Sequence, residues 1–150
     1  MKSKPYAGIV TTETEALLSI GEVSERTGLP THTLRFYEQE GLFAGPVRRN
    51  AAGRRLYSEE QAHWARVCTK LRSSGMPLPE IHRYVALVRE GPGNEAERFA
   101  ILQEHEQKVA RQVADLQEAL AVIHTKVEIY EEALAAGTAE QLWRDGPTCD

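Results

Sequence analysis

The segment "THTLRFYEQEGL", residues 31–42, gathers threonine, histidine, arginine and tyrosine within seven residues and then stops at a glycine. An ordinary amphipathic helix hides one apolar stripe and leaves generic solvated charge on its other face. Here His32, Thr33, Arg35 and Tyr37 combine directed hydrogen-bonding groups with a cation. That chemistry suits base edges and phosphates. A few residues on, Arg48, Arg49, Arg54 and Arg55 flank a turn spanning Asn50 to Gly53. Arginines placed around a turn can lay charge along a phosphate backbone without reading sequence; standing alone, they would equally make a solvated charged loop. Nothing in the chain has the spacing of a nucleophile–base or carboxylate pair, so an enzyme is not expected.

Composition narrows the setting. With 150 residues, 41% hydrophobic and 27% charged, the chain has room for one folded domain plus an extension. No apolar run is long enough to span a bilayer. The start lacks the apolar core of a secretory signal, and Cys68 and Cys149 do not suggest a disulfide framework. The expected location is therefore cytoplasmic, with no membrane association. The net charge of −4 hides a division: residues 1–89 carry 13 Lys+Arg against 9 Glu, residues 90–150 carry 5 against 13 Asp+Glu. Such asymmetry fits one part that meets a polyanion and another with a different task.

The elements that must position the arginines follow from caps and periodicity. Residues 1–18 are expected to form a flexible arm. Ser19 caps a short helix with Ile20, Val23 and Thr27 inward, Gly28 turns the chain, and Pro30 opens a second helix that ends at Gly41. Leu34 belongs to the core. "FAGPVRRNAAGRRLYS" has turn signals at Gly45-Pro46 and at Asn50 to Gly53, and reads as a small hairpin. Ser58 and Gln61 form a capping box for a third helix with Trp64, Val67, Cys68 and Leu71 at helical spacing. A fourth helix follows Gly75, with Ile81, Val85 and Val88 inward, and "GPGN" ends it.

Beyond it, Leu102, Glu106, Val109, Val113, Leu116, Leu120, Ile123, Val127, Tyr130 and Leu134 alternate spacings of four and three. This is a heptad seam, interrupted once at Glu106, and predicts a coiled coil on a helix roughly 60 Å long at about 1.5 Å per residue. A helix of that length cannot bury its stripe inside a small domain, and no second long helix is available for a hairpin; a homodimer is expected. The domain expectation is an arm at 1–18, a DNA-binding head at 19–90, a dimerisation helix at 95–136 and a tail at 137–150. The fold class is mostly α.

Short helix, glycine turn, second helix and cationic hairpin together match a winged helix-turn-helix, whose second helix enters the DNA major groove. On "IGEVSERTGLPTHTLRFYEQEGL", "RRNAAGRRLYSEE" and "LRSSGMPLPEI", the chain resembles the MerR family of bacterial transcription regulators. The likeness covers about residues 19–135 and implies an antiparallel dimer helix. It places Thr33, Arg35 and Tyr37 on the recognition helix, and Arg55 and Tyr57 in the wing and backbone clamp. Tyr37 would bond a phosphate through its hydroxyl, or else pack on Leu42; Glu38 would pair with a nearby arginine. Arg54 stands where the family usually has an aromatic residue. The resemblance also implies a pseudo-palindromic promoter site, DNA bending and untwisting as the switch, RNA polymerase as a partner and an effector that sets the state.

The effector is less legible. Metal-sensing relatives carry cysteines at the ends of the dimer helix, whereas residues 89–148 here contain none, and no metal or cofactor is expected. The chain is most similar to the small stress- and electrophile-responsive branch. That branch's reactive cysteine would fall on Lys70; Cys68 lies two residues earlier, on a face shared with Trp64 and Leu71. Cys68 is either a packed thiol or a displaced redox sensor. The alternative is a small apolar ligand, with Trp64, His82 and Tyr84 as possible lining.

Overall fold

The computed structural model describes residues 16–142. Most of the expected arm, and the end of the expected tail with Cys149, lie outside the described residues. The element order is β1 (Leu18–Ser19), α1 (Ile20–Thr27), α2 (Thr31–Gln39), β2 (Arg48–Arg49), β3 (Arg55–Tyr57), α3 (Glu59–Ser73), α4 (Leu78–Glu90) and α5 (Glu95–Ala135), followed by a short 3-10 turn at Ala139–Gln141. The chain divides into two compact units between Ile101 and Leu102. None of the described helices is long and apolar enough to cross a membrane.

The first unit is built on local signals that agree with one another. Ser19 caps α1 in a complete box: its hydroxyl accepts from Glu22 N–H, and Glu22 accepts from Ser19 N–H at 2.7 Å. Gly28 then takes φ +71°, a left-handed conformation that side chains disfavour, and its N–H donates to Ser24 C=O. α2 therefore starts at Thr31, with Leu29 and Pro30 between it and the glycine, and packs on α1 as a helix-turn-helix. Ser58 and Gln61 form the second capping box, and Gln61 also reaches the carbonyls of Gly45 and Pro46, fixing the loop that enters β2.

The hairpin is present, with Arg48 opposite Leu56 and Arg49 opposite Arg55. It carries an additional strand. Leu18, at the end of the expected arm, pairs with Tyr57 and is buried, so the sheet is antiparallel with order β1-β3-β2. A two-residue strand has too little alternation to be read from sequence; the pairing exists because Leu18 belongs to the core.

That core draws on β1, β3 and the four helices α1 to α4, while both residues of β2 are exposed. Val23, Leu34, Leu42, Tyr57, Cys68, Ile81 and Val85 are its largest fully buried side chains. Trp64, Leu71 and Ile101 pack on it while partly exposed, as does Ile20. On α4, Leu87 is buried and Val88 only half-buried, so Leu87 takes the inward position expected of Val88.

The second unit contains the remainder of α5. Its apolar side chains are open to solvent in the single chain: Leu116 is 70% exposed, Leu120 64% and Leu134 66%. Among its described residues only His105 and Ala133 are buried.

Candidate nucleic-acid interface

α2 has nine residues, short for a helix standing alone, since isolated helices below about 12–15 residues are marginal in water. Packing holds it. Leu34 and Tyr37, three residues apart, point into the core, and this fixes which side faces outward. His32 and Arg35 are exposed on that outward side, and Thr33 is half-buried beside them. Gly41, at φ +66°, ends the helix in a left-handed turn.

Tyr37 differs from the phosphate-bonding role expected of it. Only 3% of it is exposed, and its hydroxyl lies 2.8 Å from Thr69 Oγ1. Thr69 gives its own proton to Ala65 C=O, so Tyr37 is the donor in this pair. The phenol is a peg between α2 and α3, and its hydroxyl is already used. Tyr57 likewise is fully buried, with no hydrogen-bond partner for its hydroxyl among the described residues. Burial, reinforced by the negative charge of Glu38, pushes its phenol above the ordinary range. It supports the wing from beneath and does not reach a phosphate from its present position.

The four wing arginines divide into two pairs. Arg48 and Arg54 are exposed, and no ion pair is recorded for either among the described residues. Arg49 and Arg55 both reach Glu38 of α2: Arg49 Nη2 donates to Oε1 at 3.1 Å, and Arg55 Nε donates to Oε2. Arg49 also donates to Gly53 C=O at 3.2 Å. Within the turn, Asn50 Oδ1 accepts from the N–H groups of Ala52 and Arg54. The wing is thus a closed turn attached to α2, and one cationic surface results from two separate segments.

Arg89, at the end of α4, holds the other side of α2. Its Nε donates to Phe43 C=O at 3.0 Å and its Nη2 to Gly41 C=O at 2.6 Å. These carbonyls follow α2, so Arg89 holds the turn that leaves it. Sequence reasoning missed this residue, because its partners lie more than forty positions away and no local pattern marks them.

The four residues considered for an effector have different surroundings. Trp64 stacks on Tyr84, with centroids 5.7 Å apart and planes 12° apart, and donates Nε1–H to Leu42 C=O. Burial raises the phenol of Tyr84 above its ordinary range. His82 Nε2 faces a Glu40 carboxylate at 3.6 Å, beyond hydrogen-bond reach. Cys68 is 1% exposed, and burial pushes its thiol up to about 12. A thiolate, the reactive form, is scarce at neutral pH under those conditions.

Two expectations follow. Tyr37→Phe should lower unfolding free energy by about 0.5–1.5 kcal/mol, the worth of one hydrogen bond, while leaving DNA affinity unchanged; denaturant melts and DNA titrations of the same preparation check both. The Cys68 thiol should react slowly with a thiol reagent at pH 7. Its raised value acts on stability only at alkaline pH, where the unfolded chain, ionising near 9.0, loses a proton that the folded chain keeps up to about 12. Stability should therefore fall as pH rises through that window. The fall should be shallower in Cys68→Ala, with Tyr57 and Tyr84 supplying what remains.

Known proteins share this architecture. The family described as "MerR HTH family regulatory protein" matches residues 18–87, and "MerR, DNA binding" matches residues 65–125. An uncharacterised HTH-type transcriptional regulator of Haemophilus influenzae is 29% identical over 121 residues, covering 81% of this chain and 89% of that protein. A crystal structure of a MerR family transcriptional regulator from Listeria monocytogenes, itself assigned from likeness, is 30% identical with a TM-score of 0.73, covering 83% of this chain and 93% of that one. The crystal structure of HiNmlR, described as a MerR family regulator lacking the sensor domain and bound to promoter DNA, superposes with a TM-score of 0.78 at 26% identity, covering 85% and 96%. With the helix-turn-helix, the wing and the long α5 all in place, the chain belongs to the MerR family of helix-turn-helix transcriptional regulators.

Proposed function

We infer that the chain acts as a homodimer that reads a pseudo-palindromic promoter site, with α2 of each head in a major groove and the wing arginines on flanking phosphates. The observation that carries this reading is the joined surface of α2 and the wing, where Arg35 and His32 point outward beside four arginines. Arg35 is the principal base-reading residue, since a guanidinium suits the paired acceptors of guanine. His32 and Thr33 assist. Arg48 and Arg54 grip phosphate directly; Arg49 and Arg55 do so while tied to Glu38. HiNmlR, bound to promoter DNA, supports the same mode here.

Pairing rests on α5. Val113, Leu116, Leu120, Ile123, Val127 and Tyr130 keep the heptad phase and are each at least 46% exposed in the single chain. Leu102 and Val109, half-buried, continue the same seam. A second copy laid antiparallel is the partner such a stripe fits. Two heads on one axis can hold a deformed duplex, and bending and untwisting between promoter elements is the switch proposed, with RNA polymerase as the enzyme that reads the result. Of the signals considered, a reversibly bound small molecule is favoured over modification of Cys68, because that thiol is buried and protonated.

Arg35→Ala should leave a folded dimer and remove sequence preference, at a cost of roughly 1–3 kcal/mol for a lost bidentate base contact. Arg54→Ala should weaken binding to all duplexes evenly and flatten the salt dependence. Operator titrations at several salt concentrations separate the two, and unchanged operator affinity in Arg35→Ala would remove α2 from its reading role.

Leu120→Lys tests assembly. It would bury a charge in the seam unless the helices part, so sedimentation should show monomers or aggregates and specific DNA binding should disappear. An intact dimer in that variant would place the interface elsewhere.

A further inference from the structure

Glu38 is an acidic residue on the helix proposed to meet a polyanion. Its carboxylate weakens the local attraction for phosphate, so an explanation must come from what it holds. It accepts from Arg49 at one oxygen and from Arg55 at the other, and 22% of its side chain is exposed, against 25% for Arg55 and 47% for Arg49. Among the described residues, no other contact ties a wing arginine side chain to α2. The β2–β3 ladder is two residue pairs long, so it constrains the tilt of the wing only weakly. Arg49 is additionally bound to Gly53 C=O, so the carboxylate reaches through that guanidinium to the far side of the turn.

The geometry points to Glu38 as a positioning residue for specificity. It sets the offset between the base-reading face of α2 and the phosphate-binding arginines of the wing. The inference rests on the DNA-binding reading above. Arginine side chains carry considerable rotamer entropy, and ordering them before the encounter removes part of that cost from binding. It also restricts which phosphates the wing can reach once Arg35 lies in the groove. A duplex whose shape brings those phosphates to the fixed offset binds well; one that does not is penalised. Glu38 thus exchanges non-specific attraction for discrimination, acting through Arg49 and Arg55 without touching DNA itself.

The test uses the full chain and two duplexes of equal length: one enriched by the wild-type chain from a random library, the other a scramble of it. Binding to each is titrated across salt concentrations for wild type, Glu38→Gln and Glu38→Asp, with a thermal melt of each protein. Glu38→Gln removes one negative charge, so affinity for the scrambled duplex should rise and the salt slope should steepen by up to about 0.9, the contribution of one phosphate. Glu38→Asp keeps the charge but is one methylene too short to span both guanidiniums, so its slope should stay at the wild-type value. In both variants the ratio of enriched to scrambled affinity should fall several-fold. A wild-type ratio in either variant overturns the inference. So does a parallel loss of both affinities that tracks a lower melting temperature, because that would mark a role in folding alone. Failure of the wild-type chain to enrich any duplex is a different result and removes the DNA-binding reading itself.

Discussion

The outward face of α2 depends on two buried side chains beneath a helix too short to persist without them. Leu34 is fully buried and Tyr37 nearly so, one helical turn apart. Burying side chains of this size contributes roughly 1.5–3 kcal/mol each, enough to hold a nine-residue helix that propensity would not. The same two residues decide orientation. Because they point inward, His32 and Arg35 must point outward, and no other rotation of α2 satisfies the core. Side-chain identity on the outer face can change without endangering the fold, so a reading surface and a structural one share a single short helix.

Around that anchor the head is framed by polar contacts between segments distant in sequence. Gln61 secures the loop before the wing, Arg89 secures the turn after α2, and Glu38 secures the wing to α2. Tyr37 adds a hydrogen bond to α3 through Thr69. Each of these either satisfies a backbone carbonyl or links two elements, and together they fix the position of a surface that has little regular secondary structure of its own. The charge asymmetry is consistent with that arrangement, since the cations concentrate before residue 90 and the acidic excess lies beyond it.

What could be read from the sequence was local, and what could not was long-range. The Ser19 cap, the capping box at Ser58 and Gln61, the glycine stops and the hairpin turn depend on residues a few positions apart, and each is legible. Leu34 as core follows from helical spacing, whereas spacing leaves Cys68 open between a packed thiol and a sensor, and burial decides for packing. Tyr37 shows the limit. Its separation of three residues from Leu34 was a signal that it faces inward, but its partner Thr69 is 32 positions away, and the likeness to a DNA-contacting motif outweighed the periodicity. Tyr57 was assigned to the interface for the same reason and lies beneath it. The sequence suggests one arginine partner for Glu38; the fold supplies two, brought close only when the wing turns back on α2. Arg89 and the β1 pairing had no local signature at all.

The open stripe on α5 bears on gene dosage. If a second copy is what covers it, the species that can occupy a promoter forms in proportion to the square of the chain's concentration when chains are scarce. Doubling the amount of protein would then raise occupancy nearly fourfold, with no cooperativity needed on the DNA. Scarce chains would meanwhile show an apolar helix face to proteases and chaperones, shortening the life of whatever fails to pair. A helix of 41 residues would in this way help set the level at which the regulator begins to act.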